Sequence, residues 1–246
     1  MYTNHCEFTK KEATFMMKNA SCDSIYQILE KEIVNLEIKP GQTLSENSLC
    51  QRFSVSRTPI RSVLQRLQQN RFVQILPQKG TIVTPINLEI ATQFIYQRVA
   101  VETMVFRDFV RICSPTDIAK VSYAFQIMEQ IAAASDESSD FNMEKFLAAD
   151  MQMHEIWFHA TGKMFLWKNL TRPQADYSRF IRLDMVGAKN VPDVIKEHKE
   201  MLNILESKNT DSIESLISQH LYGGVRRLGG QLFSEQYSCY FLSEEN

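Results

Sequence analysis

No run in this 246-residue sequence approaches the ~18 consecutive apolar residues that a membrane-spanning helix needs, so no membrane association is expected. The opening stretch, MYTNHCEFTKKEATF, also lacks the apolar core of a signal peptide. Cysteine is sparse: Cys6, Cys22, Cys50, Cys113 and Cys239 are odd in number and scattered, with no CxxC pair. That pattern argues against a disulfide framework or a zinc knuckle and fits reduced thiols in a cytoplasmic protein. Only eight glycines occur, none in a phosphate-cradling Gly-rich loop, and no repeat period is visible. With 44% hydrophobic residues and Ala, Leu, Glu, Gln, Met and Lys common, the chain reads as mainly helical and long enough for two domains.

The net charge of −2 conceals an asymmetry. Residues 1–86 hold 11 Lys/Arg against 7 Asp/Glu, whereas the remainder holds 16 against 22. Between Pro40 and Gly80, Arg52, Arg57, Arg61, Arg66, Arg71 and Lys79 are opposed only by Glu46. A small basic unit on an acidic body points to a nucleic-acid-binding module joined to a unit with another task.

Helix signals give that module an order. Ile25, Ile28, Leu29, Ile33 and Leu36 lie on one face of a helix that the KPG at 39–41 is expected to stop. A short helix capped by Ser45 follows, with Leu49 and Phe53 inward, then a tight connection at Ser54–Val55. The next helix has Ser56 as N-cap, Pro59 in its first turn, and Ile60, Val63, Leu64 and Leu67 inward. A two-stranded wing is expected around a PQKG tip, with Val73 and Ile75 before it and Ile82 and Val83 after it. In a helix-turn-helix the start of the second helix enters the major groove, which places Arg57 and Arg61 where a guanidinium fork grips a guanine edge. The Ser56 and Thr58 hydroxyls suit phosphate oxygens, and Gln78 and Lys79 at the wing tip suit the backbone or minor groove.

The segment LSENSLCQRFSVSRTPIRSVLQRLQQNRFVQILPQKGTIVTPI closely resembles the winged helix-turn-helix of GntR-family bacterial transcription regulators, the likeness running over residues 24–86. Its most specific part is Ser56-Arg57-Thr58-Pro59-Ile60-Arg61. The resemblance implies double-stranded DNA as partner, contacted by the arginines at Arg57 and Arg61, the hydroxyl residues beside them and the wing glycine at Gly80. Asn47 stands where some members carry a DNA-contacting arginine.

Beyond Pro85 the helical patterns continue as about six antiparallel helices with short loops, the fourth kinked or interrupted at Pro173. Three of them carry polar residues in apolar stripes. Met143, Leu147, Asp150, His154 and Trp157 make one such row, Ile195, His198, Leu202 and Leu205 another, and Ile213, Ile217, His220 and Gly224 a third. Burying a carboxylate and three imidazoles is costly unless something pairs them, and a divalent transition metal ion at Asp150, His154, His198 and His220 satisfies all four. Zinc or nickel is the expected ion, with manganese, iron or cobalt as alternatives. His5 and His159 are read as surface or packing residues.

The stretches FLAADMQMHEIWFHATG, EHKEMLNILESKN and ISQHL resemble the FCD-type ligand-binding domain of the FadR subfamily of GntR regulators, over roughly residues 88–230. In metal-binding members the ligands are an Asp and a His four apart plus two later histidines, which fall here on Asp150, His154, His198 and His220. A common Asn after the glycine of the third helix is replaced by Lys163. The resemblance implies a small carboxylate effector filling open coordination positions and facing Arg98, with Arg182 as a second anion partner. The plainer reading of Arg98 is an exposed i,i+4 salt bridge with Glu102, worth ~0.3–0.5 kcal/mol.

The sequence thus describes a mainly α protein: an arm or extra helix over 1–23, a winged helix-turn-helix over 24–86, an effector-, metal-binding and dimerisation bundle over 87–235, and a tail over 236–246. Its expected function is a metabolite-responsive transcriptional regulator, a repressor of a catabolic operon, acting as a homodimer on a short inverted repeat. Two alternatives are a metal-dependent helical-bundle enzyme fused to a DNA-binding domain and a DNA-binding protein with an inert dimerisation bundle. Against the enzyme, the acid nearest the histidines in sequence, Glu155, points off the buried stripe.

Overall fold

A computed structural model describes residues 21–137, 142–187 and 191–242. The expected arm or extra helix lies almost wholly outside them. The described elements run α1 (Cys22–Val34), β1 (Thr43–Leu44), α2 (Glu46–Phe53), α3 (Arg57–Gln69), β2 (Val73–Leu76), β3 (Gly80–Val83), α4 (Leu88–Ile112), α5 (Pro115–Glu137) and α6 (Met143–Ala160). Then follow α7 (Met164–Leu170), α8 (Ala175–Gly187), α9 (Val191–Ser207), α10 (Ile213–Leu221), α11 (Gly223–Leu228), a 3-10 turn (Gly229–Phe233) and α12 (Glu235–Ser238). The chain is mainly helical, an N-terminal winged helix-turn-helix followed by a helical bundle.

In the winged-helix unit, Ile25, Leu29, Phe53, Ile60, Leu67 and Phe72 are fully buried and form the centre of one apolar cluster. Helix α1 ends at Val34, earlier than the KPG signal suggests: Asn35 caps it and Leu36 turns into the left-handed region at φ 61°. Ile28 faces solvent, so the buried face is narrower than its apolar row. Ser45 caps α2 by accepting from Ser48 N–H at 3.4 Å, and Ser54 leaves the helix left-handed at φ 54°. Three residues, 54–56, make the turn into α3.

The wing has three strands rather than two, in the order β1-β3-β2 and all antiparallel. β1 is two residues long, below the length at which alternation is legible, and it exists because Ile82 pairs with both Thr43 and Gln74. At the tip the Lys79 N–H closes a turn onto the Leu76 carbonyl at 3.1 Å, with Pro77 followed by Gln78 at φ 62°, the order of a type II turn. Gly80 follows at φ 98°, a conformation that favours glycine.

By contact density the described chain up to Leu88 groups with Gln174–Arg182 and the stretch from Phe233 onward, while Glu89–Pro173 and Leu183–Leu232 form the second unit. Within the first unit, the fully buried Arg179 donates to the Thr84 carbonyl, and Asp176 accepts from the Asn87 N–H at 2.8 Å. Ile86 forms a parallel bridge with Phe241, its N–H donating to Tyr240 O at 2.7 Å and its carbonyl accepting from Leu242 N–H at 3.1 Å.

In the second unit α5 packs along α6 and α9, and α9 against α10. Pro173 falls in a break between α7 and α8 rather than in a kink. The sixth expected helix is likewise divided, at Tyr222, into α10 and α11.

Candidate metal centre and nucleic-acid interface

The metal-site residues expected from three separate stretches meet in the bundle. One ligand atom each from Asp150, His154, His198 and His220 lies within 4.8 Å of all the others. His154 and His198 are fully buried, while the side chains of His220 and Asp150 retain 9% and 15% exposure and leave the cluster a way to solvent. His154 Nε2 is 3.2 Å from His198 Nε2, and Asp150 Oδ1 is 3.2 Å from His198 Nε2 and 4.0 Å from His220 Nε2.

The reverse side of each ring explains its orientation. His154 Nδ1 bonds Glu102 Oε2 at 2.7 Å, His198 Nδ1 bonds the Val194 carbonyl at 2.8 Å, and His220 Nδ1 bonds Glu197 Oε2 at 3.0 Å. Each of these partners is an acceptor, so each Nδ1 carries the proton and each Nε2 turns a lone pair inward. With every Nε2 unprotonated, three lone pairs and a carboxylate oxygen face one another, a repulsion that either a proton held between His198 Nε2 and Asp150 or a cation at the centre relieves. Adjacent ligands around an ion held at about 2.1 Å stand roughly 3.0–3.4 Å apart, as the 3.2 Å spacings here do, with His220 somewhat further out. The donor set therefore fits a borderline divalent metal ion.

The titration tendencies agree with a crowded pocket. Burial alone raises the Asp150 carboxyl, but the hydrogen bond and charge of His198 outweigh it and hold the group well below the usual carboxylate range. Burial likewise pulls His198 down, and Asp150 more than restores it, raising it above an ordinary imidazole. His220 is lowered, by burial first and by its two imidazole neighbours, against the pull of Glu197. One ring tends towards the charged form while another tends away from it.

From the sequence Glu102 was named only as a partner of Arg98, and Glu197 was not named. Glu102 is fully buried on α4, accepts from Arg98 Nε at 2.6 Å through one oxygen and from His154 through the other. Burial would raise its carboxyl, yet Arg98 and His154 bring it down to about 2. The Arg98–Glu102 pair is thus buried, 8% and 0% exposed, and continues into the histidine cluster rather than forming the weak exposed bridge. The signal was present: Arg98, Glu102, Val105 and Phe109 share one buried row of α4. Glu197 was missed because the buried face of α9 runs through Val194, Glu197, His198, Met201 and Leu205, rotated from the expected Ile195–Leu202 row. Both carboxylates are engaged at the Nδ1 side of a histidine. Glu155 and His159 are exposed, as expected. Arg182 belongs to the part of α8 grouped with the winged-helix unit, and its Nε is buried without a hydrogen-bond partner.

On the winged helix, Ser56, Arg57, Thr58, Arg61, Gln78, Lys79 and Gly80 are all exposed. Ser56 makes no side-chain capping bond, so its hydroxyl and the first N–H groups of α3 remain open to an anion. Arg57 donates to Asn47 Oδ1 at 3.0 Å, and Arg61 Nε donates to the Glu46 carboxylate at 3.1 Å, which extends both guanidinium groups along the α2 side of α3. The other arginines of the basic segment are committed inside the unit. Arg52 pairs with Glu32, Arg66 with Asp23 at 2.6 Å while lying over the Tyr26 ring, and Arg71 with Asp176 at 3.5 Å. With Arg61 balanced by Glu46, the local charge excess narrows to Arg57 and Lys79.

Comparison with known proteins follows the same division. Residues 22–83 match the family of bacterial regulatory proteins, gntR family, and residues 95–223 match the FCD domain. The chain is 26% identical over 199 residues to the HTH-type transcriptional repressor RspR of Escherichia coli K12, covering 80% of this chain and 84% of that protein. It is 25% identical over 227 residues to the galactonate operon transcriptional repressor of the same strain, covering 84% and 96%. A crystal structure of a putative transcriptional regulator GntR from Rhodococcus sp. RHA1 shares the fold with a TM-score of 0.63 at 19% identity, covering 85% of this chain and 98% of that one.

Proposed function

Given that the chain belongs to the gntR family of bacterial regulatory proteins and carries an FCD domain, we propose that it is a repressor of a catabolic operon, released from DNA by a small carboxylate bound at a metal site. That it is a transcription regulator and not an enzyme follows from the family. Repression of an operon is supported by relatives that carry that description, and the metal site by the convergence of three Nε2 atoms and Asp150 Oδ1 within 4.8 Å of one another.

In this reading Asp150, His154, His198 and His220 hold zinc or nickel, with manganese, iron or cobalt as alternatives, and the metal supplies open positions for a carboxylate oxygen. Glu102, the Val194 carbonyl and Glu197 fix the imidazoles for that purpose. Arg98, held beside the cluster by Glu102, offers a guanidinium to a second anionic group. Ser56, Arg57, Thr58 and Arg61 read a half-site in the major groove, with Gln78, Lys79 and Gly80 on the adjacent backbone. One winged helix makes too few contacts to select a genomic site, so a homodimer on an inverted repeat is the working form. An inert dimerisation bundle gives no reason for three imidazoles and a carboxylate to converge in its interior.

The test is a thermal-shift screen of small carboxylic acids with and without Zn²⁺, Ni²⁺ and Mn²⁺, followed by DNA-binding titrations. The metal raises the melting temperature, a chelator reverses it, and one class of carboxylate adds a further rise while weakening DNA binding. Elemental analysis finding no retained metal after reconstitution, with the same melting curve in metal and in chelator, overturns the metal-site reading.

A further inference from the structure

Outside the histidine cluster, a cysteine and a lysine are brought together from positions 95 residues apart. Cys113 follows the last residue of α4, and Lys208 follows the last residue of α9. Lys208 Nζ lies 2.7 Å from Cys113 Sγ, and donates to the Val110 carbonyl at 2.9 Å and the Cys113 carbonyl at 3.4 Å. These acceptors hold the nitrogen over the end of α4, on carbonyls that helix geometry leaves without an intrahelical partner. Lys208 also adopts φ 56°, a left-handed conformation that favours glycine or asparagine just past a helix end. Lysine occupies this position, and its side chain reaches Cys113. Cys113 is half-buried and Lys208 exposed, so a small solute reaches the pair. Cys22, Cys50 and Cys239 are also free thiols, but among the described residues none of them is hydrogen-bonded to a lysine.

We propose that Cys113 and Lys208 form an oxidative modification site, at which peroxide converts the contact into a covalent sulfur–nitrogen cross-link between the ends of α4 and α9. Hydrogen peroxide, the oxidant, transfers one oxygen to sulfur: its O–O bond breaks, an S–OH group forms and one water leaves, with sulfur oxidised by two electrons. The Lys208 amine, having released its ammonium proton to solvent, then attacks that sulfur. The N–S bond forms, the S–O bond breaks, and hydroxide leaves with the second nitrogen proton as a second water. Thiol, amine and peroxide thus give a sulfenamide and two waters. The nitrogen is already in place, so closure competes with further oxidation of the sulfenic acid. A thiol reductant attacks the same sulfur and restores both side chains. The two helices joined carry Arg98 and Glu102 on α4 and His198 on α9, so the link restrains two walls of the histidine cluster against each other.

The experiment treats the purified full chain with sub-stoichiometric to modest excess hydrogen peroxide, caps remaining thiols, and maps peptides by mass spectrometry. The expected product is a Cys113–Lys208 linked peptide pair lighter by about 2 Da than its two parts, lost on treatment with dithiothreitol. Lys208→Arg, which retains a cation and hydrogen-bond donors but supplies a poor nucleophile, abolishes the link. In it, trapping of Cys113 sulfenic acid by dimedone rises at least threefold over the wild type, while circular dichroism verifies the fold. A wild-type protein whose Cys113 proceeds to sulfinic acid as fast as in Lys208→Arg, with no linked pair, overturns the proposal. So does a Cys113 that peroxide leaves intact while Cys22 and Cys239 are oxidised.

Discussion

Replacing Glu102 with glutamine preserves side-chain size and removes one acceptor at the centre of the buried ladder. The carboxylate accepts from Arg98 at 2.6 Å and from His154 Nδ1 at 2.7 Å, and nothing in its position is exposed to water. A glutamine amide has to turn its NH₂ towards one of these two donors. Turned to Arg98, it sets N–H against N–H and strands a buried guanidinium. Turned to His154, it makes Nδ1 the acceptor and moves the ring proton to Nε2, the atom that faces the other three ligands. Ligation then has to displace that proton. Loss of such an outer hydrogen bond typically costs 10–100-fold in metal affinity, about 1.4–2.7 kcal/mol. The fold also weakens, because a broken buried ion pair costs about 3–5 kcal/mol. Affinity is therefore best measured on folded protein, by competition for Zn²⁺ against a chromogenic chelator with circular dichroism as control. Glu155→Gln, an exposed change on α6, should leave affinity unaltered. A folded Glu102→Gln protein that binds Zn²⁺ within twofold of the wild type would refute the tautomer argument.

Arg57→Ala should cost about 1–3 kcal/mol in operator binding and relax preference at one base position per half-site, read by titration against a panel of substituted sites at fixed salt. Lys79→Ala should weaken binding evenly across sequences and reduce the magnitude of the slope of log K against log salt by about 1, and an unchanged slope would place the wing tip away from phosphate. Phe53→Ala empties the centre of the winged-helix core and should lower its stability by about 3–5 kcal/mol in a denaturant titration.

The helices and the four proposed ligands were legible because each leaves a mark within a few residues: a capping serine, a 3.6-residue stripe, a polar residue standing in that stripe. Asp150 and His154, one turn apart on α6, are of this kind. The pairing of Glu102 with Arg98 was legible, but its bond to His154 and that of Glu197 to His220 were not, since those partners lie 52 and 23 residues away and only packing brings them together. The third wing strand failed for a similar reason, two residues being too few to show alternation. The charge of the basic segment misled in a different way. Asp23, Glu32 and Asp176 lie outside it in sequence, yet they neutralise half of its cations in space. Local pattern gave the reading face too broad a charge, and tertiary pairing trimmed it.

The bridge between Ile86 and Phe241 bears on how this molecule is made. A ribosome delivers α1 to β3 early, but Arg179 and the Tyr240–Leu242 segment, which hold Thr84 and Ile86, emerge more than 90 and 150 residues later respectively. The short stretch after β3 therefore acquires these hydrogen bonds only once residue 242 has been made. A nascent chain stalled before residue 240 would carry a formed reading helix on an unfastened connector. A chain cut back before residue 240 would have the same effect, leaving Ile86 without its bridge while every residue of both proposed sites is retained.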